Sequence, residues 1–423
     1  MRHLLADIVA GIVVCVALFG VDLPCSAQPA SAPATAPAPK ADMDAVVAAQ
    51  RQFALELYAR LAGEKGNVCF SPGSIHTALT MTYAGAAGRT AVEVAKTLHL
   101  DDTRLDPSKL HEAMAGLLQE WLSPEEIDDQ PAYELSMANG IWLLQGLKIE
   151  NPFRQLLEKN YRGQLSQVDF SQSEPARKAI NDWAAGQTKG RIRELLPPGS
   201  INSLSRMVLA DAIYFKAAWE EKFNKRSTGN RKFRLAADKG LDAPMMYQES
   251  HLAYAETKDV QAVELAYRGD ELAMVILLPR KVEGLGELEK ALSPQKLGEL
   301  LKELKEELVQ VTLPRFTITS ALNLSVTLSQ LGMPDAFTDK ADFSKITSAE
   351  KLFLSGVYHQ AFVTVDEDGT EAAGATAVAA AAEDVPAGPK RPFIFLADHP
   401  FIFLIRHNPT DSILFMGRLA EPK

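Results

Sequence analysis

Asp366, Glu367 and Asp368 are consecutive carboxylates, the densest cluster in this 423-residue chain of side chains suited to moving protons. An acid/base pair needs such carboxyls shifted in pKa and facing a reacting group. Here all three end the strand-like run "HQAFVTVDED", where solvated charge is the expected state. The eight histidines stand singly, none in HExxH or another metal-ligand spacing, so no metal site is expected. There is no G-x-S-x-G elbow, P-loop or dinucleotide fingerprint after a strand, and no cofactor is implied. Cys15 and Cys25 lie within the first 27 residues, and Cys69, inside the apolar "NVCFSP", is expected to fill core rather than react. No catalytic apparatus stands out.

What does stand out is a ribbon with nothing to bury. From Glu367 to Ala382 eight of sixteen residues are alanine, and no aromatic residue occurs between Phe362 and Phe393. Alanine favours helix, but Gly369, Thr370, Gly374, Thr376 and Val378 interrupt one, and no amphipathic face exists to dock it. With period two, Thr370, Ala372, Gly374 and Thr376 share one side and Glu371, Ala373 and Ala375 the other. Such a ribbon could join a sheet as a new strand with no side chain large enough to block it.

The elements around it read as α+β with mostly antiparallel sheets. Helical patterns cover 42–63, where Val46, Val47, Phe53, Leu57 and Leu61 share a face, then 71–88, 90–100, 107–122, 151–162, 174–188, 286–304 and 321–332. Thr90 and Glu93 have capping-box spacing. Strand-like runs are "MANGIWLLQ", "RMVLADAIYFKAAW", "QAVELAY", "ELAMVILLPR", "LVQVTLPRFTIT" and "HQAFVTVDED". "PFIFL" occurs at Pro392–Leu396 and again at Pro400–Leu404, and both copies are expected to be short buried strands.

Residues 1–27 have the layout of an export signal, with Arg2, an apolar run from Ile8 to Phe19, and "CSA" ending at Ala27. A secreted or periplasmic protein is expected. Cys25 offers a lipid-anchored alternative, although Asp22 and Pro24 sit where small or aliphatic residues are wanted. Residues 28–43, rich in Ala and Pro, are expected to form a disordered tether, and 44–423 a single domain. The net charge of −10 and pI near 5.4 exclude a basic nucleic-acid surface.

"EDGTEAAGAT" after "VYHQAFVTVD" and before "ADHPFIFLIRHNPTDSILFMGRL" resembles the hinge and carboxy-terminal signature of the serpins, the serine protease inhibitor superfamily. "NVCFSPGSIHTALTMTYAGAAGRT", "ANGIWLL", "NDWAAGQTKGRIRELLPPGSI", "LADAIYFKAAW" and "MMYQESHLAYAE" follow in that family's order. With the export signal, the chain looks like an exported, bacterial-type member. The resemblance implies the serpin fold, three β-sheets with eight to nine helices and an exposed reactive-centre loop, here about 367–391. It also implies that a target serine protease attacks the loop and forms an acyl-enzyme, and that the cleaved loop then inserts into the main sheet. A non-inhibitory serpin acting as a binding protein is the alternative, and a monomer is implied in either case.

By resemblance the hinge is Glu367, Asp368, Gly369, Thr370, Glu371, Ala372, Ala373, Gly374, Ala375 and Thr376. The shutter, where the sheet parts, is Ser71, Ser74, Asp211 and His359; many members carry Asn at the position of Asp211. Asp211 beside His359 could form a charged hydrogen bond and make opening pH-dependent, or be a satisfied buried polar pair. The breach at the top of the sheet includes Trp219 and Arg315, the latter placed to pair with Glu367. Counting sixteen residues from Glu367, as inhibitory members do, puts the reactive bond between Glu383 and Asp384, with Ala381 and Ala382 as alternatives. Alanine there favours elastase-like or subtilisin-like targets, and Glu383 a glutamyl-specific one. Trypsin-like targets are disfavoured, since no Lys or Arg lies between Glu367 and Pro389. Residues Asp101–Asp129 carry more acids than bases, so no heparin-type site is implied.

Overall fold

The computed structural model describes residues 38–370 and 391–422. The expected export signal lies outside them, as do hinge residues Glu371–Thr376 and the reactive-bond candidates Ala381, Ala382, Glu383 and Asp384. Helix α1 (Lys40–Leu61) buries Val46, Val47, Phe53, Leu57 and Leu61. It begins within the stretch expected to be tether, because Lys40 pairs with Asp44 at 2.7 Å and Met43 lies over Gly116. Strand β1 (Val68–Phe70) leads into α2 (Pro72–Gly85), capped by the Ser71 hydroxyl with Pro72 in the first turn. Helix α3 (Gly88–Thr97) starts ahead of the expected capping box. Thr90 Oγ1 and Glu93 Oε2 instead accept from the backbone N–H groups of Asp342 and Asp335, tying the helix to a distant loop.

Then come α4 (Pro107–Leu122), the small hairpin β2 (Glu126–Ile127) and β3 (Gln130–Pro131), β4 (Tyr133–Leu144), α5 (Asn151–Asn160), β5 (Gln164–Val168), α6 (Ser173–Gln187) and β6 (Met207–Ala218). Strands β7 (Gly229–Arg234), β8 (Gly240–Glu256), β9 (Val260–Ala266) and β10 (Leu272–Pro279) follow. The segment expected as one helix over 286–304 is two, α7 (Leu285–Ala291) and α8 (Pro294–Lys302). Pro294 cannot continue a helix but starts one well, and Ser293 caps it. The run "LVQVTLPRFTIT" likewise divides into β11 (Lys305–Pro314) and β12 (Phe316–Asn323), which lie in different sheets. Because β12 continues to Asn323, the next helix shortens to α9 (Ser325–Leu331). The chain closes with β13 (Leu354–Val365), β14 (Gly369–Thr370), β15 (Phe393–Leu396), β16 (Phe401–His407) and β17 (Ser412–Leu419).

Three sheets result. The largest runs β1-β17-β16-β10-β9-β8-β11-β15 with β7 added on β8, the main sheet runs β12-β13-β14-β6-β4-β5, and β2-β3 stands apart. Pairing is antiparallel except for β4–β5, β6–β13 and β11–β15. The α+β class with mostly antiparallel sheets is therefore what forms. The two "PFIFL" copies part company: β16 is buried between β10 and β17, whereas β15 lies at a sheet edge and leaves Ile394 65% exposed. Identical sequence does not select burial when one copy has a strand on each side and the other has one.

Helix α2 packs on β4 and β6 of the main sheet and on β17 of the largest, so nearly every residue in it is buried. Cys69 is buried beside it, and desolvation pushes its thiol pKa up, consistent with core filling. A second apolar cluster that includes Trp142, Phe170, Ile180, Leu195 and Tyr358 fills the space between α6 and the main sheet.

Burial holds three histidines, His76, His111 and His407, at a pKa of about 4, with Lys345 adding repulsion at His111. In the unfolded chain they titrate near about 6.5. Between these values the unfolded state binds more protons, so stability falls as pH drops through that window. The thermal midpoint is expected to be level above about pH 7 and to fall progressively toward pH 4. A circular-dichroism melt at pH 4.5 matching that at pH 7.5 would contradict this.

Candidate functional site

Strands β13 and β6 pair in parallel from Leu354 beside Met207 to Phe362 beside Tyr214. Above that level they part, and β14 lies between them. Thr370 is Cα partner to Ala217 on one side and to Val365 on the other, and Gly369 is partner to Ala218. Of the hinge expected from the sequence, Gly369 and Thr370 are thus already a strand.

Gly369 has φ +150°, and a Cβ there would sit 2.1 Å from the Ala217 carbonyl oxygen, so no other residue fits this backbone. Thr370 is fully buried, its hydroxyl 2.6 Å from that of Tyr267. The Tyr267 ring stacks on Trp219, with centroids 4.5 Å apart and planes 11° from parallel. Gly369→Ala is expected to drive β14 out of the sheet, read as loss of amide-exchange protection at Thr370 with β13 still protected. Retained protection at Thr370 would show that the contact is tolerated.

The carboxylates form the turn between β13 and β14, and they are not solvated as expected. Asp366 N–H donates to Gly369 O at 2.9 Å, while Asp366 Oδ1 accepts from the N–H groups of Asp368 and Gly369. The segment after β6 folds over the turn. Trp219 Nε1–H donates to Asp366 O at 2.9 Å, Trp219 N–H to Asp368 O at 3.0 Å, and Phe223 N–H to Glu367 O at 3.0 Å. Only 1% of Glu367 is exposed, and its Oε1 accepts from Arg315 Nε at 2.8 Å, from a second Arg315 nitrogen at 2.5 Å and from Thr228. Burial pushes this carboxyl up, but the Arg315 and Thr228 bonds outweigh it and hold it below the usual carboxylate range. Asp366 moves the other way, raised by burial against two backbone N–H bonds. Lys225 pairs with Asp368 at 2.5 Å. The cluster is a latch at the top of the sheet.

Lower down, the shutter residues meet. Asn139, Asp211 and His359 occupy one level of three adjacent strands, β4, β6 and β13. Ser71 N–H donates to His359 Nε2 at 3.0 Å. That bond leaves the imidazole proton on Nδ1, which donates to Asp211 Oδ2 at 2.9 Å. The Ser74 hydroxyl donates to Asp211 Oδ1 at 2.5 Å and lies 3.1 Å from Asn139 Oδ1. The whole group is buried and mutually satisfied. Ser71, Ser74, Asp211 and His359 therefore come together, as do Trp219, Arg315 and Glu367. Sequence reading missed Asn139, Thr228, Lys225 and Tyr267. Asn139 carried a signal, a polar residue amid the apolar "MANGIWLL", whereas Thr228 and Lys225 lie in a loop with no pattern.

The family model for Serpin (serine protease inhibitor) matches residues 48–422. This chain belongs to that family, and its elastase-inhibiting relatives are protease inhibitors, not enzymes. An uncharacterized serpin-like protein of Thermococcus kodakarensis is 38% identical over 95% of this chain and 92% of its own. The leukocyte elastase inhibitor of Sus scrofa is 39% identical over 90% of this chain and 100% of its own. The crystal structure of Serpin48 from Tenebrio molitor superposes with a TM-score of 0.79 at 33% identity, covering 89% of this chain and 98% of that one. Such similar relatives occur in an archaeon, a mammal and an insect alike, so similarity lends no support to a bacterial type.

Proposed function

We propose that this chain traps a serine endopeptidase as a suicide substrate. The protease serine attacks the carbonyl carbon of the residue before the reactive bond, an ester forms, and the new amine leaves with the proton. The released loop then continues β14 downward between β6 and β13, carrying the esterified protease with it. The observation that carries this reading is the position of Gly369 and Thr370, paired to both strands that must part.

The energetics support it. Continuing β14 along β6 brings Ala380 opposite Met207, where that strand begins, and replaces one parallel ladder with two antiparallel ones. A strand of this length adds on the order of ten hydrogen bonds at about 0.5–1.5 kcal/mol each. The small residues from Ala372 to Ala382 present almost nothing to clash. The cut falls between Glu383 and Asp384, or after Ala381 or Ala382, just beyond the end of that ladder. Alanine favours elastase-like or subtilisin-like proteases, in keeping with the leukocyte elastase inhibitor among the relatives. Residues 1–27 direct export, and the mature chain acts outside the cytoplasm as a monomer.

The test incubates the full mature chain with elastase-like, subtilisin-like, glutamyl-specific and trypsin-like proteases. An SDS-stable covalent complex with one of the first three, and greater heat resistance of cleaved protein, is expected. Mass spectrometry of the released C-terminal peptide identifies the bond. Cleavage by all with full protease activity retained, and no gain in heat resistance, would identify a non-inhibitory member acting as a binding protein.

A further inference from the structure

The chain carries 54 acids against 44 bases, yet residues 222–239 run the other way, with seven Lys or Arg and a single acid, Asp238. None of these bases stands in a run longer than two, so the local sequence shows no patch. The fold gathers them, because the short turn Lys225–Ser227 leads into β7, where every residue but Phe233 is exposed.

This segment touches the chain on both sides of the reactive loop. At one end Lys225 Nζ pairs with Asp368 Oδ2 at 2.5 Å, just before β14, the strand from which the loop departs. At the other end Arg234 N–H donates to Asp398 O at 2.7 Å, and its guanidinium pairs with Asp398 Oδ1 at 2.6 Å, just after β15, the strand on which the chain returns. Between those contacts β7, six residues long, spans about 20 Å. A protease–inhibitor interface covers about 800 Å² of each partner, a footprint roughly 30 Å across. A protease seated on the loop therefore lies over β7.

The charges there are not all matched. Lys225, Lys232 and Arg234 pair with Asp368, Asp242 and Asp398. Arg226 and Arg231 are exposed, and the side chains of both lack an ion pair or hydrogen bond among the described residues. Two unmatched guanidinium groups on a solvated face would need no explanation by themselves. Here they stand in an acidic protein, on a segment pinned to both sides of the loop, where an approaching protease must face them.

We propose that Arg226 and Arg231 form a docking surface for the target protease and take carboxylates on its surface beside the active-site cleft. The planar fork of each guanidinium suits a carboxylate, so the surface selects an acidic rim among proteases that accept the same loop. The inference rests on the suicide-substrate reading and adds to it the charge of the partner. Because both arginines lie outside the latch and the shutter, they act on encounter and leave the trap itself alone. Exposed charges of this kind change the association rate and its salt dependence.

The test compares the full mature chain with its Arg226→Glu/Arg231→Glu variant. The probes are subtilisin and subtilisin succinylated on its lysines, which share a specificity and differ in surface charge. The readout is the second-order rate of attack on the loop, measurable whether or not trapping follows. Toward the succinylated probe the variant should react at least about fivefold more slowly than wild type in about 20 mM salt, and nearly as fast in about 0.5 M salt. Melting temperature and the yield of SDS-stable complex per loop cut should not change. Equal rates for the two chains toward the succinylated probe overturn this inference alone. Equal rates together with heparin retention of wild type but not of the variant would assign the surface to a linear polyanion and overturn it as well. A wild type that forms no SDS-stable complex with any protease and gains no heat resistance on cleavage overturns the suicide-substrate reading and this inference together.

Discussion

On the suicide-substrate reading, Thr370→Arg is expected to leave the chain a substrate of its protease and no longer a trap. The wild-type side chain is fully buried against Tyr267, whose ring is sandwiched in contact with Trp219 and Phe215. An arginine here would place a guanidinium among the Tyr267, Trp219 and Phe215 rings, and a buried charge there costs several kcal/mol or more. The hinge would stay outside the sheet, and insertion would lose its first step. Attack on the loop happens far from this position, so cleavage should proceed at its normal rate while the ester hydrolyses before the protease is displaced. Because about 1.4 kcal/mol shifts a partition tenfold, the yield of SDS-stable complex should fall at least about tenfold. Thr370→Ser, which keeps the hydroxyl, should behave as wild type. An arginine variant that traps protease with undiminished yield would sink the insertion argument.

His359→Ala is expected to have the largest effect on the uncut protein. The imidazole joins three things at once: the N-cap region of α2 through Ser71 N–H, strand β6 through Asp211, and its own strand β13. Removing it leaves a carboxylate that is 1% exposed with the Ser74 hydroxyl as its remaining close donor, and leaves Ser71 N–H without its acceptor. Breaking a buried charged contact in this way costs about 3–5 kcal/mol. In a domain this large that lowers the thermal midpoint by roughly 4–7 °C. The loss also unpins the two strands that part in the suicide-substrate reading, so spontaneous inactivation without cleavage should accelerate. Both are read from melting curves and from the half-life of inhibitory activity at 37 °C. Wild-type values for both would mean that the contact contributes nothing to keeping the sheet closed.

The α+β class and the spacing of α1's core residues could be taken from local sequence, because each depends on residues close along the chain. The start of the hinge belongs with them: Gly369 and Thr370 differ from their surroundings in size and backbone freedom, and a strand needs little more than that at its start. The carboxylate cluster shows where such reading stops. Asp366, Glu367 and Asp368 look solvated in sequence, yet the segment from Trp219 to Thr228 folds over them and takes up their carbonyls and the Glu367 carboxyl. Burial is a property of what arrives from elsewhere in the chain. The split of one β-rich run at Pro314 and the opposite fates of the two "PFIFL" copies have the same cause, since neighbouring strands decide which sheet a segment joins.

By itself, the sequence determined that this protein has no catalytic motif, that its conspicuous feature is a ribbon of small residues, and that Ser71, Ser74, Asp211 and His359 belong together by family resemblance. Only the tertiary structure decided that Asn139 joins them, that Glu367 is a buried latch, and that β14 has already begun between β6 and β13. The register that sets His359 opposite Asp211 across β13 and β6 is likewise invisible along the chain. Pairing across strands is fixed by backbone hydrogen bonds between segments more than a hundred residues apart, and no local pattern encodes that alignment.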